Sequence, residues 1–213
     1  MNLTKYRDHL IGFISPISRI FAATGITPNQ ITLLSLVLGI AAGAFYGLNG
    51  VFTGAAYAGA AALLLSGLLD FIDGGVARIN NKASKFGAAI DWIVDKYVDC
   101  IVLLGIGLGG MVDMRLVVIA IIGSMINTFI KPVVYAEIGY QQKHDGKIKD
   151  PLEGIGIFGR PETVITLIVF SCLSAFTFFG YSAMTIAVAI VAIGTNLSAL
   201  QRVLYLYWNR TKF

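Results

Sequence analysis

Long apolar runs, broken by short glycine-bearing turns, dominate the chain. A bilayer crossing takes about 20 mainly apolar residues. Six segments qualify: 29–48, 51–80, 86–110, 113–140, 161–180 and 181–207. Turns such as Leu48-Asn49-Gly50 can only reverse the chain, so neighbouring spans are expected to be antiparallel in one tight bundle. Ahead of them, Leu10, Phe13, Ile14, Ile17 and Phe21 recur at helical spacing, while Arg7, Ser15, Ser18 and Arg19 mostly fall elsewhere around the wheel. That pattern predicts an amphipathic helix lying on the membrane surface. Pro16 and Arg19 interrupt the run and no cleavage site stands out, so it does not read as a signal peptide. The expected fold class is all-α integral membrane. One domain covers residues 1–213, with an interfacial helix in 1–25 and a bundle of six transmembrane helices within 28–210. The longest polar stretch, 141–160, carries Lys143, His144, Asp145, Lys147 and Lys149 and reads as a solvated loop.

Composition strengthens this reading. Hydrophobic residues make up 56% of the 213, charged residues only 13%, and the mean hydropathy is +0.77; a soluble domain carries roughly 25% charged residues. The net charge of +4 is small and its basic residues are scattered, which leaves no nucleic-acid footprint. Cys100 and Cys172 lie in apolar runs and read as small buried hydrophobes, with no Cys/His cluster for zinc. Lysine and arginine concentrate on one side of an even number of spans: Lys5, Arg7 and Arg19, then Arg78, Lys82 and Lys85, then Lys143 to Arg160, then Arg210 and Lys212. The opposite side offers little beyond Arg115. Both termini are therefore expected to face the cytoplasm, in a multi-pass cell-membrane protein.

The chemistry lies in the second and third spans. Asp70 and Asp73 are three apart on one predicted helix, and Asp91 and Asp95 four apart on the next. Both spacings stack side chains on one helical face. A hairpin of the two helices makes four carboxylates converge. One Asp at the centre of a membrane helix costs about 2.5–3.5 kcal/mol, and four like charges also repel. A divalent cation resolves the conflict; clustered carboxylates suit Mg²⁺ or Mn²⁺, and two such ions can clamp a phosphate during displacement. Ion pairing with Arg78, Lys85 or Lys96 explains one or two of the aspartates but not four at matched spacing. An ion transporter using the same carboxylates is the remaining alternative of a different class.

The pattern Asp70-x2-Asp73-Gly74-x2-Ala77-Arg78-x8-Gly87-x3-Asp91-x3-Asp95 resembles the signature of the CDP-alcohol phosphotransferases at all eight positions. The resemblance implies an enzyme of phospholipid biosynthesis that moves a substituted phosphate group from a CDP-linked donor to an alcohol and releases CMP. It implies that Asp70, Asp73, Asp91 and Asp95 hold the metal, Mg²⁺ or Mn²⁺ as two ions. Asp95 would also be the general base. Gly74, Ala77, Arg78 and Gly87 would border the nucleotide, joined by Asn29 and Thr32 from a Pro28-Asn29-x2-Thr32 segment that is similar to the opening of the family's first span. A homodimer is implied as well, with its active site facing the cytoplasm. Asp99 continues the Asp91/Asp95 face outside the signature and reads as a buried ion-pair or hydrogen-bond partner.

Three basic residues bear on the acceptor: Lys131 inside the fourth span, Arg160 at the start of the fifth and Arg202 on the last. A buried cation needs an anion, and together they favour a phosphorylated acceptor. The flanking segments resemble the branch that makes phosphatidylinositol phosphate or its archaeal ether-lipid counterpart. This implies a CDP-lipid donor and an inositol phosphate acceptor. Glycerol phosphate as acceptor, or a soluble CDP-inositol donor making dimeric inositol phosphates, are the alternatives.

Overall fold

The computed structural model describes residues 7–51, 53–80, 82–139, 141–142, 148–149, 151–152 and 154–210. Lys5, Lys143, His144, Asp145, Lys147 and Lys212, which entered the loop and orientation readings, lie outside the described residues. Seven helices follow in order among the described residues: α1 (Arg7–Ala23), α2 (Pro28–Gly47), α3 (Ala55–Ile79), α4 (Lys85–Leu108), α5 (Met114–Glu137), α6 (Arg160–Cys172) and α7 (Ala183–Trp208). Among the described residues, α2, α3, α5 and α7 are long and apolar enough to cross a membrane. The 24-residue α4 has the length, but its aspartates and Lys96 make it too polar to qualify by composition.

Local signals set the helix starts. Thr27 caps α2: its hydroxyl accepts from the Gln30 N–H at 3.4 Å, its own N–H donates to Gln30 Oε1 at 2.9 Å, and Pro28 opens the first turn. Ser84 caps α4 by accepting from the Gly87 N–H at 2.9 Å. Ser182 caps α7 by accepting from the Thr185 N–H at 3.1 Å. Asp113 caps α5, and its hydrogen bonds from Arg115 hold the carboxyl down at about 2, so the cap is charged at physiological pH.

The fifth predicted span ends early. The apolar run continues to residue 180, but α6 stops at Cys172, and Thr177–Phe178 pairs antiparallel with Tyr181–Ser182. The two residues between them, Phe179 and Gly180, both have positive φ (54° and 83°), which makes a two-residue hairpin turn. Cys172 is exposed and Cys100 half-buried, so only Cys100 approaches the buried state expected of both.

Helix α2 packs along both α3 and α4, which lie beside α2 rather than along each other. The α2–α4 crossing is glycine on glycine. A Cβ on Gly105 would collide with the carbonyl oxygen of Gly43, one on Gly109 with that of Tyr46, and one on Gly39 with Val98. Small residues four apart let two backbones meet in this way. The core is completed by Tyr46, Leu63, Val98, Leu103, Ile106, Val117, Leu167 and Val188. Helix α1 packs against α3 through Ser18, only 1% exposed, against Gly75, with Phe21 and Ala22 near Ile72 and Val76. Ser18 faces α3, while Ile17 and Ile20 are exposed on the outside of the bundle.

The described residues at the end of the predicted solvated loop, from 151 to 159, are partly packed rather than solvated throughout. Leu152 is fully buried, and residues 155–159 are clamped between α5 and α7. Ser198 Oγ accepts from the N–H groups of Ile157 (3.1 Å) and Phe158 (2.7 Å). Asn127 Nδ2 donates to the Phe158 carbonyl at 2.9 Å, and Arg202 Nε donates to the Ile155 carbonyl at 3.1 Å. Ser198→Ala strips two N–H groups of their acceptor. It is expected to lower the unfolding free energy by about 1–3 kcal/mol, read as a lower midpoint of thermal unfolding in detergent.

Candidate active site

Three of the signature carboxylates meet. One oxygen each from Asp70 on α3 and from Asp91 and Asp95 on α4 lie within 4.8 Å of one another. Asp73 does not join them. Residues three apart on a helix differ by about 60° in direction, and residues four apart by about 40° the other way. That offset turns Asp73 toward α2, where its Oδ2 accepts from the Thr32 hydroxyl at 2.5 Å. The Thr32 hydroxyl also lies 3.1 Å from the Pro28 carbonyl oxygen, within the first turn of α2, so its one proton is shared between the two acceptors.

The gap between α3 and α4 is filled from a third side. Arg160, the first residue of α6, sends its guanidinium into the carboxylates: Nη1 lies 2.6 Å from Asp70 Oδ2 and 2.8 Å from Asp95 Oδ1. The clamp on residues 155–159 fixes the segment that delivers it. Behind it stands Asp99, 3% exposed, with Lys96 Nζ at 2.5 Å and Ser124 Oγ at 3.3 Å from its Oδ2. Asp99 is thus an ion-pair and hydrogen-bond partner, as its place outside the signature suggests. Lys96 pairs with it rather than with a signature aspartate.

Asp91 Oδ1 and Asp95 Oδ1 are buried without a hydrogen-bond partner among the described residues; the Arg160 contact with Asp95 is close but poorly aligned. Buried carboxylate oxygens left without donors are expensive, and three convergent oxygen donors fit a hard divalent cation. The donor set therefore suits the expected metal.

The residues expected to border a nucleotide gather at the same end of the bundle. The Arg78 guanidinium folds back over Gly74, with Nη1 3.6 Å from where a Cβ on Gly74 would stand. A Cβ on Gly87 would stand 3.4 Å from Asn29 Oδ1, so the first turns of α2 and α4 adjoin. Ala77 is half-buried beside them. The three basic residues separate. Arg160 is in the carboxylate cluster. Arg202 is 5% exposed, with its guanidinium on the carbonyls of Ile155 and Asn127. Lys131 sits half-buried on α5, one turn beyond Asn127. Ser124, Asn127 and Ser198 were not foreseen. Each is a small polar residue in an apolar helix, and that is the only signal the sequence offers.

The carboxylate cluster thus stands inside a bundle of long helices, four of them apolar enough to cross a membrane among the described residues. The chain belongs to the CDP-alcohol phosphatidyltransferase family, whose pattern matches residues 25–194. The archaetidylinositol phosphate synthase of Pyrococcus horikoshii is 31% identical over 202 residues, covering 94% of each chain. The same fold appears in the phosphatidylinositol phosphate synthase of Mycobacterium tuberculosis solved with CDP-DAG bound. It has a TM-score of 0.71 and 23% identity over 91% of this chain and 92% of that one. A second crystal structure of that synthase, in complex with manganese and citrate, aligns with a TM-score of 0.71 and 24% identity over 91% and 88%.

Proposed function

We propose that this chain transfers the phosphatidyl-type group of a CDP-linked lipid, of the ether kind, to a hydroxyl of inositol phosphate and releases CMP. The observation that carries the reading is the meeting of Asp70, Asp91 and Asp95 with the Arg160 guanidinium between them. The likeness to archaetidylinositol phosphate synthase along 94% of the chain supports the lipid and acceptor classes.

In this reaction the acceptor oxygen attacks the lipid-bearing β-phosphorus. A new P–O bond forms, the bond between the β-phosphorus and the bridging oxygen breaks, and CMP carries that oxygen away. Asp95 takes the proton from the attacking hydroxyl. Two Mg²⁺ or Mn²⁺ ions, held by Asp70, Asp91 and Asp95 and by the Asp73 oxygen that Thr32 leaves free, would neutralise the diphosphate and the charge on departing CMP. Asn29, Thr32, Gly74, Ala77, Arg78 and Gly87 border the cytidine, where glycine and alanine let the nucleotide approach backbone. Arg160 receives the acceptor phosphate with Lys131, and its fork of donors suits that anion. Arg202 serves the same subsite through the 155–159 segment. Helices α2 to α7 make six crossings and α1 lies along the interface. The carboxylate end, richer in Lys and Arg, faces the cytoplasm.

The test is CMP release by detergent-purified protein given a CDP-linked diether or diacyl lipid and Mg²⁺. The acceptors are inositol 1-phosphate, inositol, glycerol 3-phosphate and serine. Release with inositol 1-phosphate alone is expected. Release with glycerol 3-phosphate instead reassigns the acceptor. Silence with every lipid donor, together with release from CDP-inositol, reassigns the donor.

A further inference from the structure

Asp99 has no part in the reaction as written above, yet it is among the most buried charges in the chain. Its Oδ2 is occupied by Lys96 and Ser124, while Oδ1 faces Arg160, with Nε at 3.6 Å. Arg160 directs Nη1 to Asp70 and Asp95, and its own Nε is buried without a hydrogen-bond partner among the described residues. A guanidinium is a rigid planar fork, so satisfying one edge can leave another out of register. Arg160 is stretched between two anionic places and is fully engaged only at the first. Closing Nε onto Asp99 requires a movement of less than about 1 Å.

Asp70 and Asp95 belong to the carboxylate set that suits a divalent ion. An ion on those oxygens competes with the Arg160 fork for their lone pairs, and the two cations repel at this distance. We propose that Arg160 and a divalent cation alternate at the Asp70–Asp95 edge, and that Asp99 is a positioning residue that takes up the guanidinium when the ion enters. Lys96 and Ser124 hold the Asp99 carboxylate in place for that exchange. The Nη edge then turns from the aspartates toward an anionic acceptor, so ion loading and acceptor binding reinforce each other. This rests on the transferase reading of the same carboxylates.

The test is Mn²⁺ binding to the substrate-free, detergent-purified protein, followed by the loss of the free-ion paramagnetic resonance signal. The proteins are wild type, Arg160→Gln, Asp99→Asn and the double variant. Removing Arg160 removes the competitor, so R160Q is expected to bind Mn²⁺ about tenfold tighter or more. D99N deprives Arg160 of its second place and is expected to weaken Mn²⁺ binding several-fold, with little further effect in the R160Q background. Equal weakening by D99N in both backgrounds makes Asp99 a ligand or a remote charge and overturns the proposal. Weaker binding by R160Q overturns it too. If D99N fails to fold because Lys96 is left unpaired, the cycle is run with Lys96→Met and Asp99→Asn together. Failure of the transferase reading shows separately, as absent CMP release by the wild type.

Discussion

Asp95→Asn is expected to lower the rate of CMP release by about 10³-fold or more at saturating donor and acceptor. The substitution keeps the shape of the side chain and removes its charge and basicity. Loss of a positioned general base alone costs about 10²–10⁴-fold, and here the same side chain also supplies an oxygen to the carboxylate cluster. The fold should tolerate the change. Arg160 retains Asp70 at 2.6 Å, and one negative charge leaves a crowded set of like charges. The thermal midpoint is therefore expected to stay at or above that of the wild type while turnover collapses. Raising Mg²⁺ or Mn²⁺ should not restore the rate, because added ion does not replace a proton acceptor. A variant that retains more than about a tenth of wild-type turnover moves the base to another residue.

The second large effect concerns folding. Gly105→Leu is expected to destabilise the protein by about 3 kcal/mol or more, lowering the detergent unfolding midpoint by roughly 10 °C. A Cβ at this position meets the carbonyl oxygen of Gly43 and then its C and Cα at 2.8 and 2.9 Å, all backbone atoms of α2. No rotamer relieves that clash; the helices themselves must separate. Separation has a cost in function, because α2 carries Asn29 and Thr32 while α4 carries Asp91 and Asp95. Activity should fall further than unfolding alone explains. Gly47→Ala on the same face is the contrast: the nearest atom to its Cβ, the Gly105 carbonyl oxygen, stands at 3.9 Å. Equal midpoints for the two variants would show that the crossing is not tight.

Much of this architecture is legible in the sequence because the membrane leaves the chain few options. Hydropathy places α2, α3, α4, α5 and α7 within a few residues of their bounds, and the capping residues Thr27, Ser84 and Ser182 are visible at their starts. The fifth span was overdrawn because Phe176, Phe178 and Phe179 keep the run apolar, and only Gly180 hints at a turn. The aspartates announce a site by their spacing, but spacing does not say that three would meet and Asp73 turn to Thr32. That depends on where α2 lies. Arg160 reaches Asp70 from 90 residues away, a pairing no local pattern encodes. Arg202 shows the limit of a sound rule. A basic residue in an apolar span needs acceptors, and the carbonyl oxygens of Asn127 and Ile155 are two of those that Arg202 uses.

At 13 residues, α6 is about 20 Å long, some 10 Å less than the hydrocarbon thickness of a bilayer. The aspartates on α3 and α4 likewise stand about 9–15 Å from the ends of their helices. The carboxylate cluster therefore stands about two to three turns in from the helix ends, next to Arg160 at the start of α6. For the proposed reaction such depth means that a lipid donor would keep its tails among other tails, while a water-soluble acceptor would come from the polar end of the bundle.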